Sequence, residues 1–150
     1  MVNACATKCL PFPQCCATGR GMTRHRFAIV GFDLDGTLLD TSGDLGAAVN
    51  HALGLIGRPT VPLEAVSGLI GGGSRLMLRR ALALTGGEDG IDAEALYPAL
   101  IEHYAANIAV HTALYPGGAA MLEALESQGT RIALVTNKPE WLALKLLDAL

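Results

Sequence analysis

The strand-to-loop segment at residues 27–40 constrains this chain more than any other part of it. An apolar run, Phe-Ala-Ile-Val at residues 27–30, leads into Phe-Asp-Leu-Asp-Gly-Thr at residues 32–37. β-Branched and aromatic residues favour a buried strand, and the Asp-Gly pair ends it. Asp33 and Asp35 therefore lie where a rigid strand gives way to a loop, and two close carboxylates repel unless a cation or a shared proton offsets their charge. The segment predicts a Mg²⁺-assisted site in which one carboxylate attacks an electrophile, the alternative being an ordinary acidic turn.

Length and composition indicate one globular domain. A chain of 150 residues can bury about two-thirds of its surface, and 51% hydrophobic with 17% charged residues is a globular composition. The net charge of −3 and the scattered basic residues give no electrostatic footprint for nucleic acid. No apolar run approaches the roughly 20 residues that span a bilayer. We therefore expect a cytoplasmic protein that binds neither nucleic acid nor membrane.

All four cysteines lie in the first 16 residues, at Cys5, Cys9, Cys15 and Cys16. Their spacing lacks the paired CxxC framework of zinc sites, and no later cysteine offers a partner for a disulfide in the core. Residues 1–21 also lack the apolar segment of a secretory signal. We expect residues 1–24 to be a disordered extension.

Helical spacing dominates residues 41–111, where no strand pattern appears. The apolar residues predict helices over residues 45–56, 62–71, 74–86 and 92–108. Ser74 is a plausible N-cap of the third helix, and Tyr104 in the fourth is expected in the core. This block interrupts the strand pattern, so it is interpreted as a helical insertion.

Alternating helices and strands return after residue 112. A helix is predicted over residues 117–128 with Met121, Leu122 and Leu125 as its buried stripe, then a strand over residues 131–136 and a helix from Pro139 with Trp141 in the core. A strand–helix–strand repeat implies a parallel sheet with right-handed crossovers. The fold class is therefore α/β.

Thr136 and Asn137 mark a second candidate site, between the second strand and the last helix. A hydroxyl beside unpaired helix N-terminal N–H groups makes an anion site, although a helix cap explains the same residues. Catalytic loops of parallel sheets lie beyond the carboxyl ends of the strands, and both candidate sites lie there.

The pattern Asp33-x-Asp35-Gly-Thr-Leu-x-Asp40 resembles the first motif of the haloacid dehalogenase superfamily, whose commonest members are phosphatases. Thr136-Asn137 after a strand resembles the second motif. The resemblance implies a Rossmann-like core, formed here by residues 25–40 and 112–150, with a helical cap at residues 41–111.

The resemblance also implies roles for single residues. Asp33 is the nucleophile that forms an aspartyl-phosphate, and Asp35 is the general acid and base. Thr136 and Asn137 hold the phosphoryl group. Mg²⁺ is held by the Asp33 side chain and the Asp35 backbone carbonyl, while Asp40 has a structural role.

The glycine-rich turn Gly71-Gly72-Gly73 precedes Ser74 and Arg75. Such turns can cradle phosphate, although most are only flexible joints. In superfamily phosphatases with a helical cap, a loop at this place faces the active site. Gly72, Gly73, Ser74 and Arg75 are therefore predicted substrate contacts.

Within the superfamily, residues 26–150 resemble phosphoglycolate phosphatases. The supporting segments are DLDGTLLDT, LIGGGS, EHY, LYPG and VTNKP. This resemblance implies a small phosphorylated metabolite as substrate, namely 2-phosphoglycolate, hydrolysed to glycolate and phosphate. A capped phosphatase or phosphosugar mutase of other specificity, and a non-catalytic remnant that binds phosphate, are the alternatives.

The family pattern continues with a lysine and an acidic motif that this sequence does not contain. Lys138 belongs to the Thr-Asn-Lys-Pro run and is not interpreted as that lysine, and Asp148 is interpreted as a solvated helix charge. Because Mg²⁺ needs several oxygen ligands, we expect the chain alone to be nearly inactive. We also expect an open sheet edge beside the first strand, through which copies of the chain can associate.

Overall fold

The computed structural model describes residues 27–150. The predicted extension at residues 1–24, with its cysteines, lies outside the described residues. The helices within residues 27–150 are α1 Ser42–Leu55, α2 Leu63–Val66, α3 Ser74–Leu84, α4 Ala93–Ala106, α5 Gly118–Ser127 and α6 Glu140–Ala149. The strands in the same range are β1 Ile29–Phe32, β2 Leu39–Asp40, β3 Ala113–Leu114 and β4 Arg131–Leu134.

The first and last strands form a small parallel sheet. Ile29 pairs with Arg131, and Phe32 pairs with Leu134 at the other end of the register. Both strands therefore end at the same edge of the sheet, and the loops after Phe32 and Leu134 leave from that edge. The predicted α/β class with a parallel strand pair is confirmed.

The helices predicted for residues 41–111 are present, although α2 is a single turn and not the longer segment expected there. A second strand pair closes this helical block at its base, where β2 and β3 pair antiparallel through Leu39 with Leu114 and Asp40 with Ala113. The sequence analysis missed these strands because two residues are too short to carry a period-two pattern.

The hydrophobic core lies mainly between α1, α3 and α4. Its largest fully buried side chains are Tyr104, Leu34, Leu53, Met77, Leu78, Leu82, Leu100, Leu142 and Leu146. Burying one such side chain contributes about 1.5–3 kcal/mol, so this cluster is the main source of stability. The prediction that Tyr104 is in the core is confirmed, since only 1% of it is exposed.

Two predictions of burial are wrong. Trp141 is 53% exposed and Met121 is 40% exposed, while Leu122 and Leu125 are only partly buried. In α6 the buried face passes through Leu142, one residue after Trp141, because helical spacing turns neighbouring residues about 100° apart. In α5 the apolar stripe faces the parallel sheet, which has only two strands within residues 27–150 and is too narrow to cover the stripe.

Among residues 27–150 there is no helix with both the length and the apolar character that crossing a membrane requires.

Candidate active site

A cavity at the carboxyl ends of β1 and β4 collects the residues that the sequence predicted for the site. Asp33 and Asp35 line it from the loop after β1, and Thr136 and Asn137 line it from the loop after β4. The cavity has a volume of about 50 Å³. Because a water molecule needs roughly 10–15 Å³ on this scale, the cavity has room for a few water molecules.

The loop after β1 is folded tightly around Leu34, which is 1% exposed. The Leu34 carbonyl accepts the N–H groups of Leu38 and Leu39 at 3.1 and 2.9 Å. Gly36 has a φ of 75°, a left-handed conformation that glycine adopts without steric cost. The buried Leu34 thus anchors the turn, and the two aspartates on either side of it line the cavity.

Thr136 is held by the start of the last helix. Its hydroxyl accepts the Lys138 N–H at 3.2 Å, and Pro139 follows as the N-cap residue of α6. Because the hydroxyl oxygen accepts this bond, its own proton can be donated to an anion in the cavity. The cap geometry and the anion-binding geometry are therefore compatible at this residue.

Lys138 also lines the cavity, and the sequence analysis assigned no role to it. Its ammonium lies 3.0 Å from Asp35 Oδ1 and donates to the Tyr104 hydroxyl at 2.8 Å. Burial lowers the pKa of Lys138, although Asp35 and, more weakly, Asp33 oppose that shift. The one available signal was its position two residues after Thr136, close to the end of a strand.

Tyr104 reaches this cluster from α4. Its pKa is raised, first by burial and then by the negative charges of Asp35 and Asp44. The phenol is therefore neutral at physiological pH, and its oxygen accepts from the Lys138 ammonium.

The glycine-rich turn faces the cavity with Gly71, Gly72, Gly73 and Ser74. The backbone at Gly72 has a φ of 79°, and a Cβ there would come within 2.7 Å of Leu76 Cδ2. Glycine therefore fits this turn better than any other residue.

The prediction that Ser74 is the N-cap of α3 is wrong, and Arg75 lies apart from the cavity. Gly73 is the N-cap of α3, so Ser74 is its first helical residue and not the cap, and the Ser74 hydroxyl lies 2.9 Å from the Tyr97 hydroxyl. Arg75 does not line the cavity. Its guanidinium pairs with Glu94 and lies 4.0 Å above the Tyr97 ring, which ties α3 to α4.

Asp40 lies outside the cavity and stabilises the start of α1. Its carboxylate accepts the Ser42 hydroxyl at 2.6 Å and the Ser42 N–H at 3.1 Å. These bonds lower the pKa of Asp40, the side-chain bond more than the backbone bond. The contacts are those of a structural residue.

The donors at the cavity fit a hard divalent cation in kind. Asp33 offers a carboxylate and Asp35 a backbone carbonyl, and Mg²⁺ prefers such oxygen ligands while keeping several waters. Residues 27–150 contain no group of three or more metal-binding side chains. The described residues could therefore supply part of an Mg²⁺ coordination shell.

Residues 30–150 match the model of the haloacid dehalogenase-like hydrolase family. The chain belongs to this family. Phosphoglycolate phosphatase 1 of Pseudomonas aeruginosa is 45% identical over 123 residues, which are 80% of this chain and 45% of that protein. The phosphoglycolate phosphatase of Agrobacterium fabrum is 41% identical over 120 residues, which are 79% of this chain and 52% of that one. The chain thus spans about half the length of these curated relatives.

The fold of this haloacid dehalogenase-like hydrolase also matches solved structures. A predicted phosphoglycolate phosphatase from Haemophilus somnus superimposes with a TM-score of 0.74 at 32% identity, covering 86% of this chain and 59% of that one. CbbY from Rhodobacter sphaeroides, solved in complex with phosphate, has a TM-score of 0.64 at 24% identity, covering 82% of this chain and 56% of that one. The predicted membership of the superfamily and the resemblance to phosphoglycolate phosphatases are confirmed.

Proposed function

We propose that this protein is a phosphatase that hydrolyses a small phosphomonoester, 2-phosphoglycolate, to glycolate and phosphate. The observation that carries the proposal is the meeting of Asp33, Asp35 and Thr136 in one cavity, although they come from two strand ends about 100 residues apart in the chain. The relatives named phosphoglycolate phosphatase support the choice of substrate.

The proposed chemistry has two steps, both of phosphoryl transfer. An Asp33 oxygen attacks phosphorus and the bond from phosphorus to the glycolate oxygen breaks. Asp35, which enters this step protonated, gives its proton to that oxygen and becomes a carboxylate. Asp35 then takes a proton from water, which attacks the aspartyl-phosphate and releases phosphate and Asp33. Thr136 and Asn137 donate hydrogen bonds to the phosphoryl oxygens, since stabilising their charge supplies most of the catalysis.

A divalent cation completes the proposal. Among the described residues, the ionisable side chains that line the cavity are two acids, Asp33 and Asp35, and one base, Lys138, so that the lining has a net charge of −1 when all three are ionised. We propose that Mg²⁺, held by the Asp33 side chain and the Asp35 carbonyl, supplies the missing positive charge.

Residues 41–111 are proposed as a cap over this site, with residues 25–40 and 112–150 as the core. Gly72, Gly73 and Ser74 are proposed substrate contacts because they line the cavity. The pairing of Arg75 with Glu94 favours a role for Arg75 in holding α3 on α4. The cytoplasmic location and the association through the sheet edge stay predictions.

Phosphate release from 2-phosphoglycolate by the 150-residue chain with Mg²⁺ tests this proposal. We expect slow release, because the described residues complete only part of the cation site, and we expect Asp33→Asn to abolish it. Asp148→Asn is the matched control, since this exposed aspartate on α6 lies outside the cavity. Release that survives Asp33→Asn would contradict the mechanism, and no release beside measurable phosphate binding would favour the non-catalytic alternative.

A further inference from the structure

Three segments meet at the ammonium of Lys138. Asp35 Oδ1, from the loop after β1, lies 3.0 Å from Nζ, and the Tyr104 hydroxyl, from α4, lies 2.8 Å from it. Lys138 itself follows β4, and its side chain is only 4% exposed. The ammonium is therefore enclosed between the sheet and the helical block.

Enclosure makes the three side chains depend on one another. A buried ammonium is costly unless a carboxylate and further acceptors compensate for its lost hydration. Asp35 supplies the charge and Tyr104 supplies the second acceptor. Removing the hydroxyl would leave the ammonium with fewer partners and free it to shift, and the Asp35 carboxylate would shift with it.

We infer that Lys138 is a positioning residue for Asp35, and that Tyr104 of α4 sets where Lys138 stands. The inference rests on the proposed function, in which Asp35 handles the proton. An aliphatic side chain would fill the same space without orienting a carboxylate, whereas an ammonium with two fixed partners holds Asp35 in one place. Through Tyr104, the helical block thereby takes part in aligning Asp35.

The ¹³C resonance of the Asp35 carboxyl carbon, measured by NMR in the 150-residue chain without ligand, tests the inference. Tyr104→Phe keeps the ring and removes only the hydroxyl. We expect it to move the Asp35 carboxyl resonance and to hasten hydrogen exchange at the Lys138 ammonium by about tenfold, since a hydrogen bond to a charged group is worth at least that factor. Tyr115→Phe, at a tyrosine outside the cavity, should move neither signal.

A second pair of variants separates positioning from packing. Lys138→Met should move the Asp35 resonance. Lys138→Arg should leave the resonance close to its position in the unchanged chain, because the positive charge is kept. Lys145→Met, on the exposed side of α6, should leave the resonance unchanged. An Asp35 resonance that Tyr104→Phe and Lys138→Met both leave in place, with the amide spectrum otherwise intact, would overturn the inference. Because these signals are measured without substrate, their outcome does not depend on whether the chain releases phosphate.

Discussion

Asp44, in the first turn of α1, shows how far a single side chain fixes the architecture. Its carboxylate is 2% exposed and accepts the N–H groups of His111 and Thr112 and the Thr112 hydroxyl, at distances from 2.7 to 3.1 Å. A buried charge is tolerated only when donors surround it. Asp44 lies where the chain enters the helical block, and Thr112 directly precedes β3, where the chain leaves the block. These bonds therefore join the two ends of the helical block.

Asp44→Asn should therefore destabilise the chain strongly. The amide keeps the size of the carboxylate but points two donors at groups that are donors themselves. We expect the free energy of unfolding to fall by about 2–3 kcal/mol in urea titrations. The exposed Asp148→Asn should change it by less than about 0.5 kcal/mol, and similar small effects at both sites would contradict this account of Asp44.

The positions of single residues could be predicted from the sequence where they depend on the local pattern alone. Asp33, Asp35 and Thr136 each come shortly after a segment with a clear strand pattern, so their place at the edge of the sheet could be foreseen. Lys138 could not, because its partner Tyr104 is 34 residues away and lies on another element. The burial of Trp141 was misjudged for a similar reason, since apolar character does not tell which neighbour covers a side chain.

At the scale of elements, close approach of α1 and α2 depends on a glycine. A Cβ at Gly46 would come within 2.9 Å of Val66 Cγ2, whereas a Cβ at Gly54 on the same helix would meet nothing within 4 Å. Neither glycine has a positive φ. The two sites thus separate helix propensity from packing within one element.

Alanine at these two glycines should have effects of opposite sign. Gly54→Ala should stabilise by about 0.5–1 kcal/mol, because alanine loses less backbone entropy in a helix. Gly46→Ala should destabilise by about 1–3 kcal/mol, because the extra methyl forces α1 and α2 apart. Thermal unfolding of both variants measures the difference, and stabilisation by both would show that the helices can separate without cost.

The contact between α1 and α4 should respond to pH through two stacked imidazoles. The rings of His51 and His103 lie 4.3 Å apart, and the pKa of His103 is lowered, first by burial and then by His51. Below the ordinary pKa of 6.5 the unfolded chain then binds more protons than the folded one, so stability falls as pH falls through this range.

Urea titrations at several pH values in that range should show that the free energy of unfolding falls less on acidification in His103→Gln than in the unchanged chain. His51→Gln should reduce the loss only in part, since burial of His103 remains. An equal loss in all three proteins would mean that other groups cause it.

The helices were predictable as elements because each carries a repeated apolar face, and the parallel sheet followed from the strand–helix–strand order. The strands β2 and β3 were not, because two residues pair through long-range contacts that leave no local pattern. The apolar stripe of α5 is more exposed than its pattern predicts because the described sheet is narrow, and the width of a sheet is a property of the assembled fold.

At the scale of the whole molecule, the candidate site exists only where the sheet edge, the glycine-rich turn and α4 meet. No single element supplies all of its residues, because Asp33 and Thr136 lie in loops that follow the strands of the sheet, while Gly72 and Tyr104 belong to the helical block. This shared cavity is where we expect a phosphoryl group to bind. A second, wider groove between α1 and α2, lined by Asn50 and Val61 among others, is the natural competitor on the described surface.

Amide chemical shifts of the ¹⁵N-labelled chain, titrated with inorganic phosphate in the presence of Mg²⁺, test that claim most directly. We predict that the shifts concentrate at residues 33–36, 71–74 and 136–138. We also predict that phosphate affinity falls about tenfold in Thr136→Ala, because the hydroxyl would no longer donate to a charged group. Shifts concentrated in the groove at Asn50 and Val61, or a phosphate affinity unchanged in Thr136→Ala, would contradict it.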